Sequence, residues 1–207
     1  SNGTPRRSVN NSQSSRPATT PTGTATTTAT TMSVAACQST TCTGAGFARL
    51  DSTYDGEGHR TQLKETTTGG AVTTTVFTYA GEVVTSEVST SSAATITRTF
   101  ATDDSGAIIK VTIAGDPTTL HNGDYLVTWN GHGDALALSK IDPTTGVLTA
   151  ANRYTYSSWG TPATTTHNSY ADLGFRYLYV GRFDVQWDSS SAIPAGLLYM
   201  HARHYSP

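Results

Sequence analysis

The chain has 207 residues, a formal net charge of −2 and 14% charged residues, against about 25% in ordinary globular domains. Forty Thr and 21 Ser but only three Lys leave no positive surplus for neutralising phosphates, which excludes a basic nucleic-acid binder. Ala, Glu, Lys and Leu do not dominate, which excludes a coiled coil, and no run of about 18 apolar residues is present to form a membrane-spanning helix. Thr is β-branched and favours strands. With 19 Gly and 8 Pro to make turns, the composition predicts an all-β, extracellular-type protein.

Residues 1–31 are almost entirely Ser, Thr, Asn, Pro, Gly and Ala. Such a segment buries too little apolar surface to offset its ordering entropy, so it reads as a disordered tail or linker. Cys37 and Cys42 follow, with four residues between them. They read as a local disulfide or as unpaired structural thiols; no Cys or His pair at zinc-ligand spacing accompanies them.

From about residue 47, short stretches alternate β-branched or aromatic residues with polar ones: Val72–Tyr79, Ala93–Phe100, Ile108–Ile113 and Leu148–Tyr156. This period of two predicts half-buried strands, and Gly-rich turns separate them. The turns repeat. Tyr54-Asp55-Gly56-Glu57-Gly58 gives the template of an aromatic, an Asp or Asn, two variable residues and a Gly. Trp129-Asn130-Gly131-His132-Gly133 matches it, Tyr156 to Gly160 keeps the aromatic and the Gly, and Tyr79 and Phe100 lead eroded copies. The aromatic closes a strand, the Asp or Asn bonds backbone amides further on, and the Gly supplies positive φ. One hairpin is marginal alone, but stacked hairpins build a sheet cumulatively.

These repeats resemble the YD repeats of the Rhs family, which includes the C components of insecticidal toxin complexes and the teneurins. The C-terminal stretch Gly196-Leu197-Leu198-Tyr199-Met200-His201-Ala202-Arg203-His204-Tyr205-Ser206-Pro207 is similar to the family's core signature, and Phe175 to Gly181-Arg182 to its lead-in. The resemblance implies stacked antiparallel β-hairpins in a curved or spiral sheet. It divides the chain into a tail (1–31), degenerate YD hairpins (32–124) and a core-like segment (125–207). Tyr54, Asp55, Gly58, Tyr79, Phe100, Trp129, Gly133, Tyr156, Gly160, Gly181, Arg182, Gly196, Tyr199, Arg203 and Tyr205 are then the repeat-defining structural residues. In toxin members the sheet closes as a cage around a C-terminal effector, which the core frees through Asp residues in and after its signature. Ser206 stands where the family has Asp, and a hydroxyl cannot serve as that general base, so no self-cleavage is expected.

The expected role is therefore a structural, non-catalytic shell segment of a secreted or cell-surface protein. It would enclose toxin cargo or build an extracellular assembly, such as a filament, by strand pairing. Expected partners are other YD-repeat segments, copies of itself or enclosed cargo, with no nucleic acid and no membrane span. An adhesin-like module for glycans or a protein receptor is the alternative, and a truncated self-cleaving core is a further one. Roughly 160 strand-forming residues make about a dozen strands, so the chain reads either as the last segment of a larger shell or as a shortened relative that needs partners.

No catalytic, cofactor-binding or metal-binding residue is expected. Asp184 and Asp188 could share a strand face as paired carboxylates, but they read better as a polar turn. Asp103 and Asp104 also read as a turn. His59 and His132 are expected at equivalent exposed turn positions. His201, Arg203 and Tyr205 should project together from one strand. Arg60, Arg182 and Arg203 recur beside aromatics, where an Arg can stack on a ring or pair with an inward acid to hold hairpins together.

Overall fold

The computed structural model describes residues 30–36, 48–67, 69–190, 193–201, 203–205 and 207. Cys37 and Cys42, most of the expected tail and Ser206 lie outside them. The fold is all-β. Eleven strands form one antiparallel sheet whose spatial order is the sequence order: β1 (Thr30–Ala36), β2 (Ala48–Tyr54), β3 (Arg60–Thr66), β4 (Val72–Ala80), β5 (Val83–Thr90), β6 (Thr95–Thr102), β7 (Ile108–Ala114), β8 (Gly123–Trp129), β9 (Ala135–Ile141), β10 (Leu148–Tyr156) and β11 (Pro162–Thr166). A second sheet of three strands follows: β12 (Gln186–Ser190), β13 (Ile193–Met200) and β14 (Arg203–Tyr205). β8 spans the expected boundary at 124/125 and pairs with both β7 and β9.

One turn design is used four times at one end of the large sheet. Asp55, Asp103, Asn130 and Ser157 each open a turn, and the backbone N–H of the residue three positions on donates to the opener's carbonyl. That residue is Gly58, Gly106, Gly133 or Gly160, at φ between +83° and +93°, a region closed to most L-residues. The opener's side-chain oxygen accepts from the amides two and four positions on: Glu57 and His59, Ser105 and Ala107, His132 and Asp134, Trp159 and Thr161. A carboxylate, an amide and a hydroxyl all do this work, because the turn requires only an acceptor oxygen at that place.

Counting from the opener sets the buried face. The residues five before it are Leu50, Arg98, Tyr125 and Asn152, and all are buried. The residues three before include Ser52, Phe100 and Tyr154, also buried. After the first three turns the return strand carries one extra residue, Thr61, Ile109 or Leu136, a β-bulge that shifts the pleat. Burial then falls five and eight positions past the opener: Arg60 and Leu63, Ile108 and Val111, Ala135 and Leu138. Phe100 thus stands two residues before the position held by Tyr54, Trp129 and Tyr156, which Thr102 fills in its own turn. The opposite face meets water, with Val76, Ile109 and Leu136 exposed, as suits a sheet covered on one side.

The cover comes from the chain after β11. Tyr170, Leu173, Phe175, Tyr177 and Leu178 pack with Phe100, Ile108, Val111, Tyr125, Leu138 and Tyr154 in one apolar cluster. This segment has little regular structure, so its backbone needs partners from the sheet. Asn152 accepts from the Leu173 amide and donates to the Ala171 carbonyl, Arg98 donates to the Leu173 carbonyl, and Asp134 accepts from the Val180 amide. The Ala135 amide donates to the Leu178 carbonyl at 2.9 Å. The small sheet caps the other end, with Leu197 against Leu50, Leu63 and Phe77, and the Tyr199 ring 5.9 Å from that of Tyr54. Gly181 opens a single 3-10 turn (Gly181–Phe183) and lies against the Trp129 ring, and Gly196 lies against the Trp187 ring.

Two glycine substitutions separate backbone strain from crowding. Gly58 and Gly133 share φ +93°, but a Cβ at Gly58 meets nothing within 4 Å while one at Gly133 meets the Phe183 ring at 2.7 Å. Gly58→Ala is expected to cost about 1–2 kcal/mol, and Gly133→Ala about 1–3 kcal/mol more. Urea unfolding of the two variants checks the difference.

Candidate functional site

The site begins with charges at positions where sister repeats place apolar residues. Arg60 occupies the position of Ile108 and Ala135, and Arg98 that of Leu50 and Tyr125. Both are buried, Arg60 completely. Glu87 on β5 is also fully buried. An isolated ion in such a place is strongly disfavoured, so each must find an opposite charge.

The partners arrive from the covering segment. Arg60 Nη1 and Nη2 donate to the two carboxylate oxygens of Asp188 at 2.5 and 3.0 Å, and Nη2 also donates to Gln186 Oε1. The guanidinium lies over the Tyr199 ring at 4.2 Å and the Phe77 ring at 5.0 Å. Arg176 joins three acids: Asp188 at 3.4 Å, Glu65 at 3.6 Å and Glu87 at 3.8 Å. Arg98 donates to Glu87 at 3.1 Å. Three guanidinium groups therefore face three carboxylates, a balanced network that ties β3, β5 and β6 to β12 and the covering segment.

Asp184 and Asp188, read from sequence as possible partners on one face, face different groups. Asp188 is neutralised by Arg60 and Arg176. Asp184 precedes β12 in a left-handed conformation at φ +62°. It forms the wall of a cleft of about 290 Å³ with Tyr177, Arg182 and Phe183, where its carboxylate lies 3.7 Å from His201 Nε2. Burial pushes the Asp184 carboxyl up to about 6, partly opposed by His201. His201 itself sits in the turn between β13 and β14 at φ +55°. It therefore does not share a strand with Arg203 and Tyr205, because the chain reverses there.

His59 and His132 are not equivalent. His132 follows its turn opener by two residues and stays exposed; His59 follows by four and is buried under the Tyr79 ring of the next hairpin, stacked at 4.8 Å. His59 Nε2 is 2.9 Å from Glu82 Oε2, and Nδ1 is 3.4 Å from Asp55 Oδ2 and 3.7 Å from Glu57 Oε2. Glu82, followed by Asp55, holds the imidazole above its ordinary value against the opposing effect of burial. The remaining named residues are placed as follows. Tyr54, Tyr79, Trp129 and Tyr156 end inward strands on the covered side, the Tyr179 ring lies over Gly160, and Arg182 reaches Asp103 at 3.8 Å from a half-exposed position.

No protein-family model matches the chain, and no curated protein matches it. Among solved structures, the crystal structures of TcdB2-TccC3-Cdc42 and of TcdB2-TccC3 are similar, with TM-scores of 0.55 and 0.54. Each is 16% identical and covers 77% of this chain, which spans 7% of the other chain's length. The likeness is one of fold: a β-rich architecture of the kind found within those assemblies.

Two outcomes test the polar interior. Asp188→Ala leaves Arg60 buried without its carboxylate and is expected to cost about 3–5 kcal/mol; the double variant Arg60→Met/Asp188→Leu should regain most of that. Urea unfolding of the single and double variants measures both. For Asp184 the folded-state value of about 6 lies above the ordinary 3.8. Between those values the folded chain binds a proton that the unfolded chain has lost, so stability falls as pH rises through the window. Asp184→Asn, which also tolerates the left-handed backbone, should gain on the order of 1–3 kcal/mol near neutral pH. The gain should vanish once the pH falls below the ordinary value, as unfolding across pH will show.

Proposed function

We propose that the chain is a non-catalytic wall segment of an Rhs/YD-repeat shell, from a secreted or cell-surface protein, that extends by pairing its terminal strands with further hairpins. The observation that carries this reading is the linear strand order from β1 to β11, generated by one turn repeated at a single end of the sheet. Such a sheet has no internal stopping point: each added hairpin supplies the same pairing surface. β1 (TTMSVAA) and β11 (PATTT) carry no charged residue. Natural edges are usually blunted by Lys or other charges, and bare edges favour pairing. The fold likeness to TcdB2-TccC3 supports the same reading, as do the sequence motifs that resemble Rhs proteins.

Asp188 lies between the Arg60 and Arg176 guanidinium groups, and this buried network fastens the cover to the sheet, a structural use of the charged residues. Enclosure of a cargo by the completed wall is the corresponding biological role.

Ala163 and Thr165 on β11 are exposed. Replacing both with Lys is expected to abolish concentration-dependent self-association while leaving the fold intact. Analytical ultracentrifugation over a wide concentration range reads this out. A wild-type chain that stays monomeric throughout overturns strand pairing between copies.

A further inference from the structure

The turn between β2 and β3 differs from its three sisters in what surrounds its opener. Asp55 Oδ1 already accepts the Glu57 and His59 amides, and Oδ2 faces the His59 ring, 3.4 Å from Nδ1. Asp55, Glu57 and His59 each offer one ligand atom, and these atoms lie within 4.8 Å of one another. The backbone produces this grouping, since the amides gripped by Asp55 belong to the two residues that carry the other donors.

The imidazole supplies an observation independent of the acidic side chains. The His59 side chain is 95% withdrawn from solvent, at 5% exposure. Its Nε2 faces Glu82 Oε2 at 2.9 Å, on the neighbouring hairpin. If Nε2–H donates to that carboxylate, Nδ1 carries the free lone pair. Nδ1 points between Asp55 Oδ2 at 3.4 Å and Glu57 Oε2 at 3.7 Å. Donors bound to one tetrahedral metal at about 2.0–2.2 Å stand about 3.3–3.6 Å apart. A carboxylate that fixes the far nitrogen of a ligating His is the usual support for such a site.

We infer that Asp55, Glu57 and His59 bind a divalent transition-metal cation, Zn²⁺ before Ca²⁺, with Glu82 orienting the imidazole and water completing the coordination. The imidazole favours Zn²⁺ over the all-oxygen surroundings that Ca²⁺ prefers. Asp55 and Glu57 would neutralise the ion, and the metal would fasten two successive hairpins, because Glu82 stands on the turn between β4 and β5. The site departs from the sequence expectation of no metal ligands.

A sister turn is the natural control. Asn130, His132 and Asp134 place similar groups at the same three positions, but their atoms are spent. His132 Nδ1 lies 2.9 Å from Asp134 Oδ1, Asn130 Nδ2 donates to Asp134 Oδ2, and Asp134 Oδ1 also accepts the Val180 amide. That turn is closed by hydrogen bonds and should take no ion.

The test titrates Zn²⁺ alone into the untagged full chain by calorimetry, in a Cys37→Ser/Cys42→Ser background so that thiols cannot compete. Asp55→Asn keeps the acceptor the turn needs, as Asn130 shows, and replaces the second carboxylate oxygen with an amide NH2 that cannot ligate a metal. Glu57→Gln changes an exposed side chain. The expected result is one Zn²⁺ per chain, with affinity at least tenfold weaker in either variant, unchanged in His132→Gln, and accompanied by a zinc-dependent shift of the His59 ring nitrogens in NMR spectra. Binding that is absent in the parent, survives both substitutions or is lost in His132→Gln overturns the site. None of these outcomes depends on whether the chain assembles through its edges.

Discussion

The pairing of Arg60 with Asp188 joins residues 128 positions apart, and the arrangement of the interior follows from it. Arg60 sits where the repeat places an apolar residue. A guanidinium there is stable only with a carboxylate and rings around it, and β12 and β13 bring Asp188, Gln186 and Tyr199. Once Asp188 is held, Arg176 is drawn to the same carboxylate and extends the network to Glu65 and Glu87. Replacing a buried ion pair with apolar residues is often neutral for stability, whereas leaving one partner buried without the other is costly. The network therefore penalises any placement of the cover that leaves Arg60, Glu87 or Arg98 without its opposite charge.

The same logic explains an irregular segment inside a β protein. Residues 167–185 satisfy only some of their backbone groups among themselves, and polar residues at interior repeat positions take up others. Asn152 and Arg98 share one repeat position and both serve Leu173. The repeat thus has two kinds of position. Turn openers and glycines are fixed by local geometry. Interior positions vary, and their variation encodes the cover.

This division sets what the sequence could reveal. The turns around Asp55, Asn130 and Ser157 were legible because their chemistry lies within five consecutive residues. The strands were legible from alternation. Phe100 was aligned two residues early, because the aromatic served as the marker where Asp103 and Gly106 define the frame. Arg60 was recognisable as an Arg that stacks on a ring and meets an inward acid, yet nothing in its neighbourhood identified Asp188. Arg98, Glu87 and Glu65 carry no local signal, and Arg176 is visible only as the Arg of the Phe175–Arg182 motif and not as an ion-pair partner: their partners lie on distant strands, and no spacing records such contacts. One signal was present, a charged residue at a repeat position where sister copies carry Leu, Ile, Ala or Tyr. The clustering around His59 was obscured in the same way, since Glu82 belongs to another hairpin and His132 sits at a different position of its own turn.

The polar interior makes the large sheet and its cover one cooperative unit. Native-state hydrogen exchange measures this most directly, by comparing amides of the cover with those of the sheet. The Leu173 and Trp187 amides, bonded to Asn152 and to the Arg176 carbonyl, should exchange with the same opening free energy as amides of β7 to β9. Exchange of Leu173 and Trp187 through a much cheaper opening, while the sheet stays protected, would show instead that the cover is a separate layer that opens on its own.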